Sequence, residues 1–192
     1  MVILIHVLVY VVIISQIMIK LVVLDIDGIM TDGKKYYDQK GSVVLKTFCD
    51  KDWTSIKRFK SLGINVIFLS GDENINKQIA NDRNIDFYSS RFSPKESLLK
   101  IIENRYGVDR KEICYFGDDL FDIGIMKEVG YSFCTCDSPL IVKLNSIELN
   151  VFGGNNAILH LFEYCEKYCL IPTLNYEEIM SKIYELDKKE KF

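Results

Sequence analysis

Leu21-Val-Val-Leu-Asp25-Ile-Asp27-Gly28-Ile-Met-Thr31-Asp32-Gly33 is the stretch on which the reading of this chain turns. Its four leading apolar residues, Leu21–Leu24, suit a short strand buried on both faces. The strand ends at Asp25, and a second carboxylate, Asp27, follows two residues on. Gly28 and Gly33 permit a tight loop whose backbone amides can approach an anion. Taken alone, Asp-x-Asp-Gly is also a common turn or a calcium-type loop, so the meaning of the pair depends on what the rest of the chain brings to it.

Outward from that strand, apolar runs alternate with helical patterns. Tyr36–Tyr37 and Val43–Phe48 flank Asp38-Gln-Lys-Gly41 and predict a small β-hairpin insert. Asp52 is placed to cap a helix that runs to Ser61 and is ended by Gly63. Ile64–Leu69 reads as a strand closing on Ser70-Gly71, and a helix follows from Asn74 to Arg83. Pro94 opens a helix from Lys95 to Tyr106. Ile113–Phe116 is a strand ending at Gly117-Asp118-Asp119, Phe121–Val129 is helical, and Tyr131–Cys134 is a fourth strand. Further helices are expected over Leu140–Leu144, Asn156–Tyr168 and Tyr176–Lys188. This alternation predicts an α/β fold, a Rossmann-like, mostly parallel sheet with helices on both faces. Ligands of such sheets bind beyond the carboxyl ends of the strands. Asp25 and Asp27, Ser70 and Gly71, and Asp118 and Asp119 each follow an apolar run, so three strands deliver carboxylates and a hydroxyl to one edge.

Asp25, Asp27, Asp118, Asp119 and Asp122 crowded on one rim would repel one another and resist ionisation. A hard divalent cation removes that conflict, and Mg²⁺ prefers such oxygen ligands. A metal beside a free carboxylate can bind a phosphate ester and attack its phosphorus. Asp27 is then placed to protonate the leaving oxygen and to deprotonate the hydrolytic water. Ser70 can donate to a phosphoryl oxygen, and Lys95 can neutralise charge developing there. Singly, each residue has a plainer reading: Ser70-Gly71 as a turn, Lys95 as a solvated helix residue, the Asp118 cluster as a loop with a helix cap. Their order at successive strand ends favours the chemical reading.

The chain has 192 residues, a net charge of −3 and 48% hydrophobic residues. One domain is the default at that length. Without a basic run beyond the mixed tail at Asp187–Lys191, nucleic acid is an unsuitable partner. A cytoplasmic enzyme with a small substrate fits better. Cys49, Cys114, Cys134, Cys136, Cys165 and Cys169 form no CxxC pair and read as reduced structural thiols. Residues 1–19 form an apolar extension long enough to be a membrane-span candidate. It lacks the features of a good signal peptide. An N-terminal anchor, a buried extension and an untranslated upstream stretch compete, with Met18 a natural start.

As an ordered set, these residues resemble the four motifs of the haloacid dehalogenase superfamily of phosphohydrolases, over about Lys20 to Glu163. Asp25-Ile-Asp27-Gly28-Ile-Met-Thr31-Asp32-Gly33 resembles the first motif, Ser70 the second, Lys95 the third and Gly117-Asp118-Asp119-Leu-Phe-Asp122 the fourth. The resemblance implies that Asp25 is the nucleophile and Asp27 the acid/base. It implies Mg²⁺ held by Asp25, the backbone carbonyl of Asp27 and Asp118, with Asp119 and Asp122 in support. Gly28, Thr31, Gly71 and Asp72 then fall to phosphate or substrate. Residues 20–163 would be the phosphatase domain and 164–192 a helical extension.

Only 44 residues separate Asp25 from Ser70 and 24 separate Ser70 from Lys95, too few for a cap domain. This resembles the capless branch of 3-deoxy-manno-octulosonate 8-phosphate phosphatases and their nine-carbon relatives, which implies a 2-keto-3-deoxy sugar acid phosphate as substrate. It also implies a homotetramer in which a neighbour's hairpin and Gly-rich segment, here about 35–48 and 152–157, help close the site. Two departures stand out. Asp72 holds the place after motif two where the octulosonate enzymes usually carry Arg, which looks more like the nine-carbon branch. Gly153-Gly-Asn-Asn-Ala-Ile-Leu-His160 lacks the Arg and Glu of the usual tail. The same module forms the C-terminal part of some CMP-sialate synthetases, so a non-catalytic oligomerisation module is an alternative, as is a phosphatase for other small phosphate esters.

Overall fold

Leu21–Leu24 form β1, wholly buried, the third of six strands in one parallel sheet. The computed structural model describes residues 17–190, so nearly all of the apolar stretch 2–19 lies outside the described residues. After β1 come the hairpin strands β2 (Tyr36–Tyr37) and β3 (Val43–Leu45), helix α1 (Asp50–Ser61), β4 (Asn65–Ser70), α2 (Asn74–Asp82) and β5 (Asp86–Ser89). The chain continues through α3 (Leu99–Tyr106), β6 (Ile113–Phe116), α4 (Ile123–Met126), β7 (Tyr131–Thr135), α5 (Leu140–Lys143), β8 (Ile147–Leu149), α6 (Ala157–Lys167) and α7 (Tyr176–Asp187). Strand order across the sheet is β5-β4-β1-β6-β7-β8, and β2 pairs antiparallel with β3 in a separate ribbon. Among the described residues there is no cap domain. Among the described residues, no helix is long and apolar enough to cross a membrane.

Alternation along β1 divides the core in two. Val22 and Leu24 pack with Trp53, Ile56 and Phe59 of α1 and Leu161 and Phe162 of α6. Leu21 and Val23 pack with Leu99 and Ile102 of α3, Ile125 of α4 and Val142 of α5. Helices therefore cover both faces, as the strand pattern predicts. On the first face, Phe59 and Phe162 meet edge to face at 4.9 Å between centroids. Each such side chain contributes about 1.5–3 kcal/mol by leaving water. α7 closes over α1, with Lys182 Nζ donating to the Ser61 carbonyl at 2.9 Å and Lys57 paired with Asp187.

Several expectations need correction. Asp52 does not cap its own helix, which begins at Asp50 behind Cys49; its carboxylate instead accepts the Ile158 and Leu159 amides at 2.9 and 3.2 Å, capping α6 from across the core. The helix expected from Lys95 begins as a 3-10 turn, Lys95–Leu98, and that expected from Phe121 begins as another, Leu120–Asp122. Two strands, β5 and β8, are additional to those read from the sequence. Both are sheet edges with one side toward solvent, so neither carries a continuous apolar run.

Candidate active site

Strand register builds the site. Leu24 lies level with Phe116, so Asp25 and Gly117 leave the sheet side by side, and the Asp25 amide bonds the Phe116 carbonyl at 2.9 Å. Ser70 ends β4 on the other flank. A cavity of about 740 Å³ opens there, lined by Asp25, Asp27, Ser70, Lys95, Asp118 and Asp119 among others. Gly28, Gly71 and Asp72 also line it. The three strand-end clusters thus converge on one space.

Lys95 is the hub of the inner half. Its buried ammonium lies 2.9 Å from Asp25 Oδ2 and 2.6 Å from Asp122 Oδ1, and it donates to the Tyr115 hydroxyl at 3.0 Å. Burial works against that charge, but Asp25 and Asp122 overcome it and push the Lys95 pKa up, so the group stays cationic. Asp122 is fully buried and fully engaged: Oδ1 also accepts from Tyr115, and Oδ2 accepts the Asp118 and Asp119 amides at 2.8 and 2.9 Å. It therefore shapes the Gly117–Asp119 loop from behind and does not face the cavity. Asp119 is exposed, and its Oδ1 accepts the Leu120 amide at 2.6 Å.

The inner carboxylates fit a cation. Asp25, Asp118 and Asp122 each place one ligand oxygen within 4.8 Å of the others. Asp122 is saturated by four donors, which leaves Asp25 and Asp118. Asp118 Oδ1 is buried and has no hydrogen-bond partner among the described residues. Burial, reinforced by the charges of Asp25, Asp122 and Asp119, lifts the Asp118 carboxyl to about 8 against the pull of Lys95. Burial also raises Asp25, to about 6. Such an excess of unpaired anionic oxygen is what a hard divalent ion relieves. Gly28 is part of the same construction. It has φ +88°, and a Cβ there would lie 2.0 Å from Asp118 Oδ2, so only glycine lets the two loops close.

The outer half is a network the sequence did not reveal. Lys46, just past β3, reaches in with a fully buried side chain. Its Nζ donates to Asp27 Oδ1 at 2.7 Å, Asp72 Oδ2 at 2.9 Å and Asn76 Oδ1 at 2.8 Å. Lys35 bonds Asp72 at 2.9 Å and lies 3.6 Å from Asp27 Oδ2. Asn76 Nδ2 donates to Asp27 Oδ2 and to Ser70 Oγ, both at 3.1 Å. Burial works to raise Asp72, but the two lysines overcome it and hold the carboxyl at about 2. Lys35, Lys46, Asn76 and Tyr115 were not singled out in the sequence. A lysine closing a hairpin strand ordinarily reads as solvated, and nothing local marks this one as buried.

Thr31 is not brought to the cavity. It is buried beneath the loop, where its hydroxyl bonds the Ile26 carbonyl at 3.4 Å and accepts the Gly33 amide at 3.3 Å. The Gly-rich segment of this same chain supports that loop from below. A Cβ on Gly153 would lie 2.0 Å from the Gly28 carbonyl oxygen, and the Gly154 amide bonds the Ile29 carbonyl at 2.9 Å.

Comparison with known proteins identifies relatives of the chain. Residues 70–158 match the family profile described as haloacid dehalogenase-like hydrolase. The chain is 33% identical over 143 residues to the 3-deoxy-D-manno-octulosonate 8-phosphate phosphatase of Haemophilus influenzae, covering 72% of this chain and 78% of the relative. A cobalt-bound structure of the Haemophilus influenzae enzyme superposes with a TM-score of 0.72 at 31% identity, covering 78% of this chain and 88% of that one. The Moraxella catarrhalis octulosonate phosphatase, solved with magnesium, phosphate and its sugar acid, shares the fold at 24% identity, with a TM-score of 0.69 and coverage of 89% and 91%. The fold and the strand-end carboxylates place this chain in the haloacid dehalogenase-like hydrolase family. Within that family it is a phosphoric monoester hydrolase.

Proposed function

We propose that the chain hydrolyses the phosphate ester of an eight- or nine-carbon 2-keto-3-deoxy sugar acid through an aspartyl-phosphate on Asp25. The observation that carries the reading is the inner site: Asp25 held 2.9 Å from Lys95 beside the unpartnered Asp118 oxygen. The sugar acid is supported by the octulosonate phosphatase relative at 33% identity. Mg²⁺ suits the all-oxygen donor set and would be held by Asp25, the Asp27 backbone carbonyl and Asp118; when bound, it supplies charge neutralisation for the incoming phosphate.

The residues divide the work as follows. Lys95 fixes the Asp25 carboxylate and offers positive charge to the phosphoryl oxygens. An Asp25 oxygen attacks phosphorus; the new P–O bond forms as the bond to the sugar oxygen breaks, and Asp27 gives that oxygen a proton. Asp27 then takes a proton from water, which attacks phosphorus and releases inorganic phosphate and Asp25. Ser70 Oγ and the backbone at Gly28 and Gly71 bind phosphoryl oxygens. Asp119 and Asp122 hold the Asp118 loop. Thr31 acts from beneath the loop, and Asp72 lines the cavity that takes the substrate.

The wider reading is a cytoplasmic homotetramer whose neighbouring hairpin and segment 152–157 finish an uncapped site. Exposed Tyr36, Tyr37, Val44, Leu45 and Phe152 support it, because they leave apolar side chains of the hairpin and of segment 152–157 uncovered. Residues 20–163 carry the catalytic unit, and 164–192 are the extension, whose helix α7 packs on α1. Phosphate release with Mg²⁺ across a panel of sugar-acid and simple sugar phosphates tests the function. Preference for a simple hexose phosphate would refute the sugar-acid assignment, and turnover by Asp25→Asn equal to the parent would refute the nucleophile. A gel-filtration mass near one subunit would refute the shared site.

A further inference from the structure

Among the described residues, three cations line the cavity: Lys35, Lys95 and Arg91. Lys95 is taken up by Asp25 and Asp122. Lys35 is taken up by Asp72 and Asp27. Arg91 is exposed and has no carboxylate partner among the described residues; its guanidinium lies only over the ring of Phe92, at 5.7 Å.

Its position is nonetheless built. The Ser90 amide bonds the Ser70 carbonyl at 3.1 Å, and the Arg91 amide bonds Ser89 Oγ at 3.3 Å. The loop after β5 is thereby tied to the end of β4, and four residues later Lys95 enters the inner site. Arg91 thus stands on the cavity's rim, in the loop that leads from β5 to Lys95. It also lines an adjoining groove of about 450 Å³, whose walls include Phe92, Leu120 and Phe121. Elsewhere around the cavity, Asp72 and Asp27 are balanced by Lys35 and Lys46, so that pair of carboxylates and lysines offers an anion no net attraction.

We propose that Arg91 is the specificity-determining residue that receives the carboxylate of the leaving group, while the carbon chain lies toward the Phe92–Phe121 groove. This rests on the sugar-acid reading above. The chemistry is that of a guanidinium fork, whose paired N–H donors match a carboxylate and are unclaimed by any carboxylate among the described residues. A neutral sugar phosphate offers those donors only uncharged hydroxyls, so Arg91 discriminates by charge at the end of the substrate remote from phosphorus.

The test uses two esters of equal chain length, a 2-keto-3-deoxy sugar acid phosphate and a neutral polyol phosphate, on the full chain with Mg²⁺. The parent is expected to favour the acid in kcat/KM. Arg91→Ala should lower that preference about tenfold, the order expected when a charge-assisted hydrogen-bond pair is lost at a wet rim. The loss should fall mainly on KM for the acid, and Arg91→Lys should restore part of it. Added salt should raise the parent's KM for the acid more steeply than the variant's. A parent without preference for the acid overturns the sugar-acid reading and this inference together. A parent with that preference and an Arg91→Ala that keeps it overturns the role of Arg91 alone.

Discussion

Replacing Lys46 by Met is the sharpest probe of how the hairpin is joined to the site. Met keeps most of the apolar stem and removes only the ammonium, so packing loss is small. Three acceptors lose their donor: Asp27, Asp72 and Asn76. Stripping one partner from a buried ion pair costs about 3–5 kcal/mol. Here the carboxylate side chains of Asp27 and Asp72 are 23% and 19% exposed and both retain Lys35, which brings the expectation down to about 2 kcal/mol. With a urea slope of about 2 kcal/mol/M, the unfolding midpoint should fall by about 1 M at pH 7.5. The effect has a pH signature. Asp72 is held at about 2, below its ordinary 3.8, so the unfolded chain binds more protons in that window. Its stabilisation is therefore present above about pH 4 and is lost as pH falls through about 2. The gap between parent and Lys46→Met should narrow on acidification across that range. Urea melts of both proteins at several pH values decide the matter. A midpoint change under about 0.2 M at pH 7.5, or a gap that stays constant from pH 5 to pH 2.5, would refute the reasoning.

Other consequences can be measured directly. Asp25→Asn keeps the shape of the side chain but removes the attacking charge; phosphate release should fall by at least about 10³-fold, and retention of a tenth of the parent rate would count against covalent catalysis. Chelation should stop turnover and added Mg²⁺ restore it, whereas turnover that persists in excess chelator contradicts the metal assignment. Gly28→Ala forces a methyl to within 2.0 Å of Asp118 Oδ2 at φ +88°, so Mg²⁺ affinity by titration calorimetry should drop at least about tenfold; an unchanged affinity would separate Asp118 from the ion. Asp52 is raised from 3.8 to about 6, first by burial and against the α6 amides it accepts, so its ionisation costs the folded state stability as pH rises through that interval. Asp52→Asn removes the titration, and the parent-to-variant difference should move by about 2 kcal/mol in the variant's favour between pH 4 and pH 8, read from thermal melts; no movement would place that carboxyl in water.

The parts of the site that were legible in the sequence share a physical property: each is decided by its own neighbours in the chain. Leu21–Leu24, Asn65–Ser70 and Ile113–Phe116 announce themselves as apolar runs, and the polar residue that ends such a run is carried to the sheet's edge by the geometry of a strand. Register then needs no further information to bring Asp25, Ser70 and Asp118 together. Edge strands β5 and β8 lack that signal because half of each faces water, and their residues are too mixed to stand out.

What stayed hidden depends on distance in the chain. Lys46 and Asp27 are 19 residues apart, Lys46 and Asn76 are 30, and Asp52 caps a helix 106 residues away. In each case a polar side chain that looks solvated, or bound to its own helix, is buried by an element arriving from elsewhere. Burial then obliges it to find partners, since an unpaired buried charge costs several kcal/mol. The same reasoning gives the one exception its meaning. Lys35, Lys46 and Lys95 around the cavity are each engaged by at least one carboxylate, and Arg91, on the rim, is engaged by none among the described residues. Where the described residues supply carboxylate partners for the other cations around the cavity and none for Arg91, the partner is most simply the substrate's own charge.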